Sequence, residues 1–151
     1  MENSKVNPKK PTKAYKFTKT QLKWLEALES GEYKRCKHIL CEELQNGDCR
    51  YCCLGVASEL LLSDKYKEKS SVEHWLFDGE DTECPYSVME KLKLHGSLGE
   101  FFKDGERYLH EFTKDGTIVE THSLAELNDE GWSFKKIANF IRNNPRLVFR
   151  D

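Results

Sequence analysis

At 151 residues the chain can bury one core and needs only one domain; 38% of it is hydrophobic, 33% is charged, and the formal net charge is −2. No window approaches the roughly eighteen consecutive apolar residues of a membrane-spanning helix, and no apolar stretch follows the N-terminal lysines, so neither a membrane span nor a signal peptide is expected. The expected compartment is a reducing cytoplasm, where six cysteines read as free thiols and not as a disulfide framework.

Charge is unevenly spread. Residues 1–24 hold seven lysines against one glutamate, a surplus of six positive charges, so the other 127 residues carry −8. Residues 1–16 contain two prolines and no periodic pattern, and are expected to form a flexible basic arm on a single domain of residues 17–151.

Thr18 with Gln21 spells a capping box, Phe17 and Leu22 a hydrophobic staple, and Trp24, Leu25 and Leu28 one apolar face, so a helix is expected over 19–30 with Gly31 as its left-handed stop. Residues 33–40 read as a short strand or irregular chain, and 45–48 as an Asn-Gly turn. From Cys52 to Leu62 only Gly55, Ser58 and Glu59 are not apolar, which predicts a central helix covered on most sides. A polar linker over 63–71, a short amphipathic segment from Val72 to Phe77 and an acidic turn at 78–81 follow. Pro85 predicts the first residue of a helix closed by Gly96. Two Asp-Gly steps, at 104–105 and 115–116, divide short β-rich runs and predict a small antiparallel sheet over about 101–121. Ser123 with Glu126 is a second capping box. Ser133 opens a helix whose Phe134, Ile137, Ala138 and Ile141 share one face; Asn144-Pro145 ends it, and 146–149 could pair on a sheet edge. The expected class is α+β: about five helices around the buried helix 52–62, with one small sheet.

Three chemistries compete for the polar residues. Cys36, His38, Cys41, Cys49 and Cys52 crowd into 17 residues, and Cys49-x-x-Cys52 is half of a zinc-binding pattern. However, Cys52 would have to leave a buried helix, so the thiols are read as core and no metal is expected. Cys52 or Cys53, at the start of a helix, could serve as a nucleophile with His74, His95, His110 or His122 as base and Asn128 or Asp129 to orient it, but no local signature joins them. No catalytic residue and no cofactor is therefore assigned; the phosphate-loop and dinucleotide fingerprints are missing too. Nucleic-acid binding could use Lys9, Lys10 and Lys13 of the arm with Lys135, Lys136 and Arg142 of the last long helix, although the acidic helix before it (Glu126, Asp129, Glu130) would repel a phosphate backbone.

Four segments taken together resemble a family of small proteins from tailed phages and prophages: Trp24-Leu25-x-Ala27-Leu28-x-Ser30-Gly31-x-Tyr33, Tyr51-Cys52-Cys53-Leu54-Gly55-Val56, Pro85-x-x-Val88, and Leu127-Asn128-Asp129-x-Gly131-x-Ser133-Phe134-x-x-Ile137-Ala138-x-x-Ile141. That resemblance implies a phage origin, and so the cytoplasm of an infected bacterium. It implies no catalytic residue. By analogy with other small non-structural phage proteins, the expected role is binding to a host or anti-phage defence protein. The expected contact surface joins the corner Asn128, Asp129, Gly131 and Trp132 to the acidic loop residues Asp78, Glu80 and Asp81.

Overall fold

The computed structural model describes residues 14–70 and 73–151. Among them are six helices, α1 (Lys19–Ser30), α2 (Cys53–Leu61), α3 (Tyr86–Leu92), α4 (Leu124–Asp129), α5 (Phe134–Asn143) and α6 (Pro145–Val148). Nine short strands accompany them: β1 (Lys34–Arg35), β2 (Cys41–Glu43), β3 (Cys49–Tyr51), β4 (Lys67–Lys69), β5 (Trp75–Phe77), β6 (Phe102–Lys103), β7 (Glu106–Arg107), β8 (His110–Lys114) and β9 (Thr117–Thr121). The class is α+β, as the sequence implies.

α2 is the hub. It packs against α1, α3 and α4, and Cys53, Leu54, Val56 and Ala57 are fully buried. Burying a leucine or valine there contributes about 2 kcal/mol each. Because residues 53–58 are all buried, the polar groups at the start of the helix must be satisfied by protein and not by water. Trp24 of α1 donates its indole Nε1–H to the Cys53 carbonyl at 3.0 Å, and Asn128 of α4 accepts from the Cys53 N–H at 3.0 Å.

α1 starts as its residues demand. Thr18 Oγ1 accepts from the Gln21 N–H at 3.1 Å, and Gln21 Oε1 accepts from the Thr18 N–H at 3.0 Å. The buried Gln21 amide also donates to the Leu92 carbonyl at 2.9 Å, which ties the capping box to the end of α3. Gly31 takes the left-handed conformation at φ 79°. Tyr15, within the expected flexible arm, is instead docked: its ring stacks on Phe149 at 6.0 Å and its hydroxyl donates to Gln21 Oε1. The expectation for residues 1–13 lies outside the described residues.

The sheets differ most from expectation. β1, β3 and β2 form a three-stranded sheet with β1 parallel to β3; only β1 falls in the stretch 33–40 read as strand or irregular, and no strand was expected at β2 or β3. The expected linker 63–71 holds a 3₁₀ turn (Asp64–Tyr66) and β4, which pairs antiparallel with β5. The single sheet expected at 101–121 is two separate ribbons, β6–β7 and β8–β9. Three smaller corrections concern helix ends. Pro85 is the cap of α3 and not its first residue, and Lys93, at φ 62°, stops that helix before Gly96 is reached. Glu126 reaches back to the His122 N–H and not to Ser123, so only half of that capping box forms. Residues 145–148 coil into α6 because the ring of Pro145 fixes a backbone angle that suits a first helical turn. That leaves one bridge, Leu94 with Phe149, where an edge strand was expected.

Asn128 joins three segments of the fold. Besides capping α2 it donates Nδ2–H to the Cys36 carbonyl at 2.8 Å. Asn128→Ala would orphan a buried N–H and a buried C=O, so urea unfolding should show a loss of about 2–4 kcal/mol.

Candidate functional site

A cleft of about 440 Å³ opens over the N-terminus of α2. Its floor includes Cys52, the cap of α2, whose Sγ accepts from the Gly55 N–H at 3.3 Å. Burial pushes that thiol up to about 11, against a smaller opposing pull from the backbone N–H groups around it. Cys53 points away into the core and is held well above its ordinary value by burial. At rest both thiols are neutral.

Three carboxylates surround the floor: Glu100, Glu126 and Asp129. Each already accepts a backbone N–H. Glu100 Oε1 takes that of Leu98 at 2.8 Å, Glu126 takes that of His122, and Asp129 Oδ1 takes that of His38 at 2.9 Å. These bonds fix the carboxylates in place, and each carboxylate keeps further acceptor capacity. Against them stand the Arg107 guanidinium and the imidazoles of His38 and His122, so the cleft is acidic by count when the imidazoles are neutral. His38 is held at φ 73°, a conformation costing a non-glycine residue about 1 kcal/mol. Asp129 holds it there through the backbone bond and a 3.2 Å contact to Nδ1.

The cleft joins two segments that are far apart in the chain. Thr82, in the loop that follows Asp78, Glu80 and Asp81, lines one side, and Asp129 of the α4 corner lines another. The loop carrying His38 links them, since Leu40 donates its N–H to the Asp81 carbonyl at 2.7 Å. Part of the expected contact surface is therefore one place. Other parts are not. Asn128 is fully buried, and Trp132 is 8% exposed, packed among His110, Phe112 and Phe140 with Lys136 Nζ 4.1 Å above its ring. Neither can meet a partner. Gly131, Asp78 and Glu80 are exposed, while Asp81 is partly covered and pairs with His74 at 3.1 Å. Sequence reasoning misses His38, Glu100 and Arg107 as cleft residues. Only His38 carries a signal there, and it points to a metal ligand and not to a partner of Asp129.

The family model for a domain of unknown function, DUF8296, matches residues 17–145. The chain belongs to that family. No curated protein and no solved structure matches it. The DUF8296 match spans α1 through α5, so it takes in every residue that lines the cleft.

The remaining candidates in this DUF8296 chain fare differently. Among the described residues no three Cys, His, Asp or Glu side chains converge as an ion would need, and no helix is long and apolar enough to cross a membrane. Lys9, Lys10 and Lys13 lie outside the described residues. Lys135 is exposed on α5, but Lys136 sits on Trp132, and Arg142 is clamped by Glu29 at 2.7 and 2.8 Å. The expected cationic face of α5 is thus largely committed within the molecule.

The Arg142 hydrogen bonds hold the Glu29 carboxyl below its ordinary value of 4.5, against a weaker push from burial. A carboxyl lowered by folding stabilises the fold above its unfolded pKa, and that contribution fades as pH falls through the folded value. Arg142→Met should therefore unfold at lower urea than the parent at pH 7, with the gap closing as pH drops below the ordinary carboxylate range.

Proposed function

We propose that this is a small phage accessory protein that acts by binding, in the cytoplasm of an infected bacterium, to a basic surface of a host or anti-phage defence protein. The phage setting rests on the sequence resemblance. The mode of action rests on one observation: the acidic loop and the α4 corner meet at a cleft whose three carboxylates are already oriented by backbone donors. A lysine or arginine side chain entering it would find fixed acceptors, and the ordering cost of those acceptors has been met during folding. The exposed Asp78 and Glu80 extend the same sign of charge beyond the rim and would speed encounter with a basic patch.

Affinity capture from lysate of the natural host should yield a stoichiometric basic partner that dissociates as salt rises. Thr82→Arg, at an exposed rim position, places a cation where the partner's would go and should weaken that complex about tenfold or more. A partner held equally well by the variant, or repeated captures that recover nothing, would refute the proposal.

A second reading attaches to Cys52, because it lines the cleft beside the His38–Asp129 pair. In that reading Cys52 is a nucleophile and His38, with Nδ1 turned to Asp129, takes the thiol proton on Nε2. The raised thiol weighs against it: at pH 7.5 a group with pKa about 11 is thiolate in on the order of one molecule in three thousand. Iodoacetamide on the native protein should label the partly exposed Cys49 first and leave Cys52 and Cys53 unlabelled until denaturation. Rapid native labelling of Cys52, quenched in His38→Ala, would favour the thiol enzyme over the binding protein.

A further inference from the structure

We infer that the outer edge of β9 accepts an added strand from another protein: an extended segment that sets a lysine or arginine opposite Glu120 and an apolar residue opposite Ile118. β8 and β9 pair over their whole length and join no other named strand. Asp115 and Gly116 make the turn between them, both left-handed at φ 52° and 78°. Such a turn closes on a hydrogen-bonded pair, here Lys114 with Thr117, and bonded and unbonded pairs then alternate along the ribbon. Phe112 with Val119 and His110 with Thr121 therefore bond across it. Glu111, Thr113, Ile118 and Glu120 turn their N–H and C=O groups outward. On the β9 side that outward line is in use one step further on, where the His122 carbonyl accepts from the Phe101 N–H at 2.8 Å. The segment that pairs there turns away at Phe102 to join β7, and both Ile118 and Glu120 are exposed.

Exposed edges commonly carry a lysine, a proline or a bulge that blocks a further strand. β9 has none of these: Thr117-Ile118-Val119-Glu120-Thr121 pairs without a bulge, and four of its five residues are β-branched. Phe112 meets Trp132 on the inner face of the ribbon, while Ile118 is 69% exposed on the outer face. Beside Ile118, Glu111 and Glu120 stand directly opposite each other in an unbonded pair, where Cα atoms are about 4.5 Å apart and like charges repel. Among the described residues no ion pair relieves them; Lys114, the ribbon's one lysine, is held by Glu130. A cation on an added strand would relieve that repulsion, and an apolar residue two places along would cover Ile118. A second copy of the chain would bring more glutamates to the same face, so charge selects a basic segment over self-pairing. Main-chain hydrogen bonds supply the affinity, and the two side-chain positions choose the segment. None of these residues lines the acidic cleft, and the inference does not rest on what the cleft binds.

The probe is the acetylated and amidated peptide Thr-Val-Thr-Lys-Thr-Val-Thr, titrated into the isotope-labelled full chain and followed by amide resonances. The signals of Ile118 and Glu120 should shift and saturate by about 1 mM peptide. Glutamate in place of the peptide's lysine should weaken binding at least about fivefold, and Glu120→Lys should reverse that preference. Methylating the backbone nitrogens of the peptide's lysine and valines should abolish binding. So should Ile118→Pro, which removes an N–H that faces away from β8 and leaves the ribbon's own bonds whole. If that variant does not fold, Glu120→Lys decides alone. No saturation by about 1 mM, equal affinity for the lysine and glutamate peptides, full binding of the methylated peptide, an unchanged preference in Glu120→Lys, or a dimer of the chain that Ile118→Pro dissolves would each overturn the proposal. Thr82→Arg should leave peptide binding unchanged, so the cleft and the β9 edge are judged separately.

Discussion

Gly55 has no side chain because the carbonyl of Leu40 stands where one would go: a Cβ there would lie 1.7 Å from the Leu40 oxygen and 2.6 Å from its carbon. The same oxygen accepts the Cys52 N–H at 3.2 Å. The first turn of α2 therefore rests directly on the backbone of the 36–41 segment, and any larger residue would have to push two main chains apart. Asn128 completes the joint by bonding both sides of it, the Cys53 N–H on the helix and the Cys36 carbonyl on the segment. This contact orders the loop that carries His38, and it brings α4 close enough for Asp129 to hold His38 in its left-handed conformation. The cleft is a consequence of how the central helix is seated.

Structure governed by neighbours in the chain was legible in the sequence. α1 and α5 announce themselves through Thr18, Gln21 and Ser133 and through apolar spacing, and the β8–β9 ribbon through Asp115-Gly116, because caps and turns are local. β1 was legible only as one of two alternatives for 33–40: two residues gain strand geometry only from a parallel partner, β3, that lies beyond an intervening strand and turn. Lys93 was not legible as a helix stop because lysine has no preference for a positive φ; the turn is set by bonds from its N–H to Glu90 and Met89 and by the buried Leu94 that follows.

The site was half legible for related reasons. Excess acid in the 78–83 loop and at the 128–132 corner is visible as composition, but that both reach one cleft follows from tertiary contacts through Leu40 and His38. Asn128 and Trp132 stood in exposed-looking turn chemistry, yet the amide is spent on buried backbone groups and the indole on an aromatic cluster. A polar side chain beside a turn carries the same letter whether it faces water or caps another helix. The cysteines illustrate the opposite case. Their crowding suggested chemistry, while the packed helix predicted space-filling thiols, and burial raises Cys36, Cys52 and Cys84 to about 12, 11 and 12.

The cleft and a second concavity, lined by Phe102, Tyr108 and the α5–α6 junction, share a wall, the short segment from Glu100 to Tyr108. Glu100 lines the acidic cleft, Phe101 fills the core, and Phe102 lines the second concavity; on the returning side Arg107 belongs to the cleft and Tyr108 to the second concavity. Phe101 anchors the wall through two backbone bonds, donating to the His122 carbonyl at 2.8 Å and accepting from the Tyr108 N–H at 2.9 Å. Fully buried, Phe101 holds the wall between the two openings in place.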